Sequence, residues 1–294
     1  MTIEKIGFIG LGTMGMPMSL NLLAAGNDLT IWGRTPEKLR EAIDAGAELV
    51  KTPEALAEKC DVVFLCVFDA DAVEEVVFGK QGIAAKANSN LLIVDHSSIH
   101  PDRTREIAAR LKDETGAAWV DCPVSGGRYG AKNGNLVLMA GGSKDDIERL
   151  RPLVAPTSQR LTHMGPIGCG QATKLVNQAV IGAEIAVLAE MFGFANRYGV
   201  KVKKIPDALA GGWADSTVLQ DHARRMIKAD YWTTAPGNTL KDLNTVCEMG
   251  RTSGSPMPIA ALTTELYRYL GTQGNADKGQ IGLMLLYVQE SLDT

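Results

Sequence analysis

Apolar positions keep two different rhythms along this chain. In the first half, short apolar runs are separated by amphipathic stretches of helical spacing. The runs are residues 5–10, 28–32, 61–66, 91–95 and 118–121, and the stretches between them are 36–45, 53–59, 71–78 and 101–112. Residues 135–140 and 160–164 read as two further strands on either side of a helix over 144–153. Nearly continuous apolar strands alternating with helices predict a parallel, doubly wound sheet with both faces covered. After residue 174 the strand pattern stops. Residues 174–198, 205–209, 217–227, 240–252, 259–271 and 279–292 read as helices. Their breaks are Gly211-Gly212, Ala235-Pro236-Gly237 and Gly254-Ser255-Pro256-Met257-Pro258. The expected architecture is an α/β domain over 1–164 followed by an all-α domain over 165–294, with Gly165-Pro166-Ile167-Gly168 as the hinge.

The first strand runs into Gly10-Leu11-Gly12-Thr13-Met14-Gly15 and then a helical pattern through Met18, Leu22 and Leu23. In a strand–turn–helix setting, this Gly-x-Gly-x-x-Gly is the phosphate turn of a Rossmann dinucleotide-binding domain. The first glycine permits the turn, the second lets backbone approach a pyrophosphate, and the third lets helix and strand pack closely. The second strand ends in Gly33-Arg34-Thr35, with Lys38 one helical turn later. An acid there would bind the ribose hydroxyls of NAD. Its absence, with an arginine in place, suits the 2′-phosphate of NADP, although Arg34 beside Pro36 also fits a solvated helix start. Ligands of such sheets lie beyond the carboxyl ends of the strands, so Val67, Phe68, Ser97 and Ser98 are expected to edge the cofactor. Core packing accounts equally well for Val67 and Phe68.

Two further stretches carry candidate chemistry. Asp121-Cys122-Pro123-Val124-Ser125-Gly126-Gly127 is a strand running into a turn. Its glycine amides and serine hydroxyl make either an ordinary turn or a cradle for a carboxylate. In Gly168-Cys169-Gly170-Gln171-Ala172-Thr173-Lys174-Leu175-Val176-Asn177-Gln178, Lys174, Asn177 and Gln178 share one helical face. A cation leading a mostly apolar helix has either a substrate or proton-transfer role or a plain surface one. Lys241-Asp242, after the Ala235-Pro236-Gly237 break, reads as a helix-start charge pair.

Composition narrows the classes. The 294 residues are 45% hydrophobic and 22% charged, with a net charge of −4, which offers no electrostatic case for nucleic acid or an anionic membrane. Five scattered cysteines (Cys60, Cys66, Cys122, Cys169, Cys247) without a Cys-x-x-Cys pair argue for a reducing, cytoplasmic setting and against a zinc site. The four histidines form no ligand pattern. The longest apolar run, 179–195, is interrupted by Glu184 and Glu190, so no membrane span is expected, and the N-terminus reads as a strand rather than a signal peptide.

Together these residues resemble the β-hydroxyacid dehydrogenase family, which includes 3-hydroxyisobutyrate dehydrogenases, tartronate semialdehyde reductases and glyoxylate/succinic semialdehyde reductases. The resemblance covers nearly the whole chain. It rests on four landmarks in order: Gly10-x-Gly12-x-Met14-Gly15, Asp121-x-Pro123-Val124-Ser125-Gly126-Gly127, Gly168-x-Gly170 through Lys174 to Asn177, and Lys241-Asp242-Leu243. It implies an NADP-dependent oxidoreductase, with NAD as a possible alternative cofactor, that interconverts a small hydroxy acid and its aldehyde acid. In that reading Lys174 is the catalytic acid/base. Ser125, Gly126 and Gly127 hold the substrate carboxylate, and Asn177 and Gln178 touch the substrate. Leu11 and Thr13 lie in the phosphate turn, while Ser98 and Lys241 contact the cofactor. A homodimer or homotetramer follows from the long apolar helix.

Within the family, Asn177-Gln178 and Gly211-Gly212-Trp213-Ala214-Asp215-Ser216-Thr217-Val218-Leu219 look like tartronate semialdehyde (2-hydroxy-3-oxopropionate) reductases. The Gly33-Arg34-Thr35 turn instead looks like the NADP-using glyoxylate/succinic semialdehyde reductases. Val67-Phe68 departs from the common Leu-Pro. The aromatic often found before the Lys-Asp pair is replaced by Thr233-Thr234, preceded by Tyr231-Trp232. Lys174 weighs against an imine reductase or a non-catalytic cofactor-binding protein, and the helical half is too short for 6-phosphogluconate dehydrogenase.

Overall fold

Strand side chains in the first half alternate between two helix-covered faces. The order is β1 (Ile6–Ile9), α1 (Gly15–Ala24), β2 (Leu29–Trp32), α2 (Arg40–Asp44), β3 (Glu48–Leu49), α3 (Pro53–Lys59), β4 (Val62–Leu65), α4 (Ala70–Phe78), β5 (Leu92–Asp95), α5 (Pro101–Thr115) and β6 (Ala118–Asp121). Phe8, Ile31, Phe64, Val94 and Val120 point to one face, where Met18 and Leu22 of α1 cover them. Ile9, Val63, Leu65, Ile93 and Trp119 point to the other, against Leu56 of α3, Val73 and Val77 of α4, and Ile107 and Leu111 of α5. Both faces are therefore dry, as the unbroken apolar runs require. β3, β2, β1, β4, β5 and β6 lie side by side in parallel.

This computed structural model describes residues 4–231 and 238–288. The chain divides into two compact units, Met1–Lys174 and Leu175–Thr294.

The far end of the sheet departs from the all-parallel expectation. β7 (Val124–Ser125), α6 (Gly127–Lys132) and β8 (Leu136–Gly141) follow β6, and β8 runs antiparallel to both β6 and β7. The six residues of α6 span only about 9 Å, too little for the crossover that a parallel return needs. After α7 (Lys144–Val154), β9 (Ser158–Gly165) pairs parallel to β8. The turn expected at Pro123-Val124-Ser125 is thus partly a short strand.

The second unit is helical among the described residues. α8 (Cys169–Arg197) begins in the first unit and continues into the second, followed by α9 (Ile205–Leu209), α10 (Arg224–Ile227), α11 (Asn238–Ser253) and α12 (Pro258–Thr272). Ile185, Ala189 and Phe192 of α8 form its core with Leu219, Ala223, Leu243, Tyr267 and Leu270. The expected helix over 217–227 is present, with its middle, Leu219–Ala223, wound as a π-helix before α10. One expectation needs correction. The expected helix over 279–292 is a 3-10 helix, Gln280–Leu286, in its described part. Ile281, Gly282, Leu283 and Met284 are all buried, so no polar side is left for an amphipathic α-helix to turn outward. The Ala235-Pro236-Gly237 break, Trp232, Thr233, Thr234 and positions 289–292 lie outside the described residues.

The membrane expectation also needs correction. By length and composition α8 is long and apolar enough to cross a bilayer, with a mean hydropathy of 1.5 over its most apolar window despite Glu184 and Glu190. A central core helix meets the same test.

Candidate active site

At the start of α1 the three glycines do three different jobs. Gly10 has φ +94°, and a Cβ there would sit 2.3 Å from the carbonyl oxygen of Cys66, so only glycine fits. A Cβ on Gly15 would lie 2.1 Å from the Gly10 oxygen. Gly12 is the opposite case: a Cβ there meets nothing within 4 Å among the described residues. The first turn of α1 carries no acidic residue, and no side chain caps its amides. Open space over uncapped helix amides fits a pyrophosphate. Leu11 is buried, Thr13 is exposed and Met14 is half-buried in the same turn. Gly33 is half-buried at the end of β2, and Arg34, Thr35 and Lys38 are exposed beside it. A 3-10 turn, Pro36–Leu39, occupies the place where a regular helix was expected to begin.

The next strand ends lie along the same carboxyl edge. The Val67 N–H donates to Ser97 Oγ at 3.0 Å. Val67 and Ser98 are half-buried, and Phe68 is exposed. Ser125 sits on β7 opposite Val137, with Gly126 and Gly127 exposed after it. Gly126 has φ +123° and Gly127 φ +58°. Arg128 follows, also exposed.

Beneath this edge lies a group of buried polar side chains: Asp95, His96, Ser97, Asp121 and Gln171. Such groups persist only where hydrogen bonds replace lost water. Asp121 takes the Gly168 N–H on Oδ1 at 2.7 Å and the Gln171 N–H on Oδ2 at 2.8 Å. Its carboxylate thus fills the N-terminus of α8, where positive partial charge gathers. Burial pushes its pKa up, and the N–H bonds from Gly168 and Gln171 oppose that shift. Gln171 then ties the helix to the loop after β5: its Oε1 accepts from the Ile99 N–H at 3.2 Å, and its Nε2 donates to the Ser97 carbonyl at 2.7 Å. His96 stacks on Phe64 at 5.3 Å and lies 2.6 Å from the Cys122 carbonyl through Nδ1. A carbonyl only accepts, so Nδ1 carries the proton. Burial lowers the His96 pKa to about 4, leaving the ring neutral at physiological pH. Burial likewise raises the Asp95 carboxyl to about 6; its Oδ1 accepts from the Ser97 N–H at 2.9 Å, and its Oδ2 has no hydrogen bond among the described residues.

Close packing holds this arrangement. A Cβ on Gly170 would fall 2.5 Å from both the Asp121 and Met139 carbonyl oxygens. Gly168, at φ +91°, brings the chain into the helix. Lys174 follows, half-buried, one turn beyond Gln171.

In the second unit, Asn177 Nδ2 donates to Gln178 Oε1 at 3.1 Å, and Gln178 Nε2 donates to Asp242 Oδ2 at 2.9 Å. Asp242 is buried, and its Oδ1 lies 3.7 Å from Lys241 Nζ. Asn177, Gln178 and Lys241 therefore come together around Asp242. The Lys-Asp pair lies in the first described turns of α11 (Asn238–Ser253).

Asp121, Gln171 and Asp242 were given no individual role by sequence reasoning, and Ser97 was expected only to edge the cofactor. A usable signal existed for the first: an acid closing a strand, in a chain that later holds Gly-x-Gly at a helix start, is a candidate cap. Gln171 stands on the same helical face as Lys174. No sequence pattern marks Asp242, or the link from Ser97 to Gln171.

Comparison with known proteins completes the picture. Residues 5–165 match the family described as the NAD binding domain of 6-phosphogluconate dehydrogenase. Residues 168–287 match that described as NAD-binding of NADP-dependent 3-hydroxyisobutyrate dehydrogenase. The chain is 36% identical over 276 residues to the 2-hydroxy-3-oxopropionate reductase of Escherichia coli, covering 92% of this chain and 93% of that protein. It is 30% identical over 275 residues to the chloroplastic glyoxylate/succinic semialdehyde reductase 2 of Arabidopsis thaliana, covering 93% of this chain and 76% of that one. Among solved structures, the 3-hydroxyisobutyrate dehydrogenase of Mycobacterium tuberculosis with L-serine superposes with a TM-score of 0.86 at 26% identity, over 97% of this chain and 99% of that chain. A nicotinamide-binding sheet, a helical second unit and similarity running nearly end to end place this chain in the β-hydroxyacid dehydrogenase family, as an NAD(P)-dependent hydroxyacid dehydrogenase.

Proposed function

We propose that this enzyme is an NADP-dependent reductase of a small aldehyde acid, most similar in activity to a tartronate semialdehyde (2-hydroxy-3-oxopropionate) reductase, with Lys174 as the general acid/base. The observation that carries this reading is the start of α8. Asp121 and Gln171 hold that helix to the same sheet edge that bears Val67, Ser97 and Ser98, and Lys174 stands one turn further along.

The open turn at Gly12 would hold the pyrophosphate, with Gly10, Leu11, Thr13, Met14 and Gly15 framing it. Arg34, with Thr35 and Lys38, would take the 2′-phosphate, which supports NADP over NAD. Val67, Phe68, Ser98 and Lys241 are proposed as the remaining cofactor contacts. Bound NADPH supplies the hydride. Ser125, with the amides of Gly126 and Gly127, orients the substrate carboxylate. Lys174 donates its proton to the carbonyl oxygen as that oxygen gains charge, and takes it back in the oxidative direction. Asn177 and Gln178 orient the hydroxyl, and through Asp242 they also steady Lys241.

A homodimer or larger homo-oligomer follows from α8. Val176, Val180, Val187, Met191 and Phe194 are exposed at heptad-like spacing along one side of it, an apolar stripe that invites a partner helix. Sedimentation equilibrium measures this directly: a monomeric mass at micromolar concentration would sink it.

Three small aldehyde acids (tartronate semialdehyde, glyoxylate and succinic semialdehyde), each assayed with NADPH and NADH, separate the substrate readings. A cyclic imine serves as the control. In the same assays Lys174→Ala is expected to lower kcat by about 10³-fold while NADPH binding, followed by fluorescence, stays within a few-fold of native. Turnover by Lys174→Ala close to that of the native enzyme rules out the lysine's role.

A further inference from the structure

We infer that Gln171 is a positioning residue for Lys174: its buried amide fixes the lysine's helical turn to the loop after β5, and through Ser97 to the cofactor-facing end of β4. The inference rests on the reading of Lys174 given above.

Four observations meet at this side chain. Gln171 is 1% exposed, so its amide has no bulk water to fall back on. Both ends of the amide are used, Oε1 by the Ile99 N–H and Nε2 by the Ser97 carbonyl, across 72 and 74 residues of sequence respectively. Its own backbone N–H goes to Asp121 Oδ2, so side chain and main chain are anchored to two different strand ends. Ser97 passes the connection on, because its hydroxyl receives the Val67 N–H. The turn that carries Lys174 is therefore linked through Ser97, by a buried bond to its carbonyl and a part-buried one to its hydroxyl, to Val67, which is proposed to wall the cofactor.

A helix capped only by Asp121 would be held at its end but could still swing about that point. Gln171 lies on the helical face that Lys174 also occupies, one turn on. Its two bonds supply the second anchor that removes the swing. General acid catalysis depends steeply on such placement, and a shift of about 1 Å can cost 10²-fold in rate. The amide does not need to touch substrate to matter.

Gln171→Met keeps the length of the side chain and removes both hydrogen bonds. Gln171→Glu keeps an acceptor for the Ile99 N–H but cannot, as a carboxylate, donate to the Ser97 carbonyl. Each is compared with native enzyme and with Lys174→Ala, using NADPH and the aldehyde acid that the native enzyme turns over fastest. Gln171→Met is expected to lose about 10- to 100-fold in kcat, with the KM for NADPH within about threefold of native and a larger solvent deuterium isotope effect on kcat. Gln171→Glu, which supplies the test if the methionine variant does not fold, is expected to lose less in kcat with the same pattern. Turnover within twofold of native by either folded variant, while Lys174→Ala is inactive, overturns the positioning role alone. A parallel loss of kcat, NADPH affinity and thermal stability, with an unchanged isotope effect, also overturns it by showing a merely structural role. Retained turnover by Lys174→Ala overturns the reading of the site and this inference with it.

Discussion

The chain contains two glycine-rich helix starts, and they are used in opposite ways. At α1 the helix amides are left open: among the described residues no side chain caps them, no acid stands in the first turn, and a Cβ on Gly12 meets nothing within 4 Å. At α8 the same kind of helix end is filled by the Asp121 carboxylate, drawn from a strand 47 residues away. Both starts need glycine for close approach, Gly15 against Gly10 and Gly170 against Asp121 and Met139. The comparison shows that glycine spacing announces a tight helix entry, while the acid that does or does not reach it decides what the entry is for. An open N-terminus recruits an anionic ligand, and a filled one becomes a fixed mount.

The largest effect that would break this contrast comes from one methyl group placed at each start. Gly170→Ala drives a Cβ to within 2.5 Å of two backbone oxygens, contacts that cannot relax without moving β6, β8 or the helix. A loss of about 4 kcal/mol or more, or no folded protein at all, is expected. Gly12→Ala meets nothing within 4 Å. Its melting temperature should stay within about 2 °C of native, while its KM for NADPH rises at least about tenfold as the methyl enters the phosphate's approach. Thermal melts and steady-state kinetics on the pair read both effects. Equal destabilisation by the two alanines would show that the starts are not built differently.

Removing the filling carboxylate is a milder test. Asp121→Ala strips the acceptor from the Gly168 and Gln171 amides. A buried amide left without a partner costs about 1–3 kcal/mol, and part of that returns if water enters the space. Urea unfolding is expected to show a loss of about 3 kcal/mol for the alanine and about half that for Asp121→Asn, which keeps one carbonyl acceptor. An alanine variant within about 0.5 kcal/mol of native would mean that the carboxylate is not what holds the helix.

The two starts were not equally legible in sequence. The α1 turn could be read because everything it needs is local: an apolar strand, three glycines at fixed spacing and a helical pattern within twenty-odd positions. The α8 start could be read as a helix bearing Lys174, Asn177 and Gln178, but its mount could not. Asp121, Ser97, Ile99 and Gln171 meet only after β5 and β6 have paired, and pairing is a long-range event that no periodicity records. The antiparallel turn of β8 escaped for a related reason. A short apolar run does not state its direction, and only the shortness of α6 decides it. The π-winding at Leu219–Ala223 had no sequence signal. In the second unit, the helical face carrying Gln178 was legible, but the bond from its amide to Asp242 was not. A helical face names the direction of a side chain but not what waits there.

The smallest effect concerns the acids beneath the filled start, and it appears only as a function of pH. Burial raises the Asp95 carboxyl from 3.8 to about 6. A raised folded pKa means that its favourable contribution is complete below 3.8 and is lost as pH rises through about 6. At pH 8 the buried carboxylate therefore costs about 3 kcal/mol relative to its neutral form. His96 works the other way. Burial lowers it from 6.5 to about 4, so its contribution is complete above 6.5 and is lost as pH falls through about 4. The two windows overlap with opposite signs, and the native protein should show nearly flat stability between pH 4 and 6.5 from this pair. Asp95→Asn keeps an oxygen for the Ser97 N–H and removes the titrating carboxyl. The variant should be more stable than native by about 2–3 kcal/mol at pH 8 and about equal to it at pH 4, with a downward slope on acidification that His96 alone produces. Urea midpoints across that range measure the slope. Parallel curves for native and variant would show that Asp95 does not titrate in this window, and the polar group under α8 would then have to balance its charge by another route.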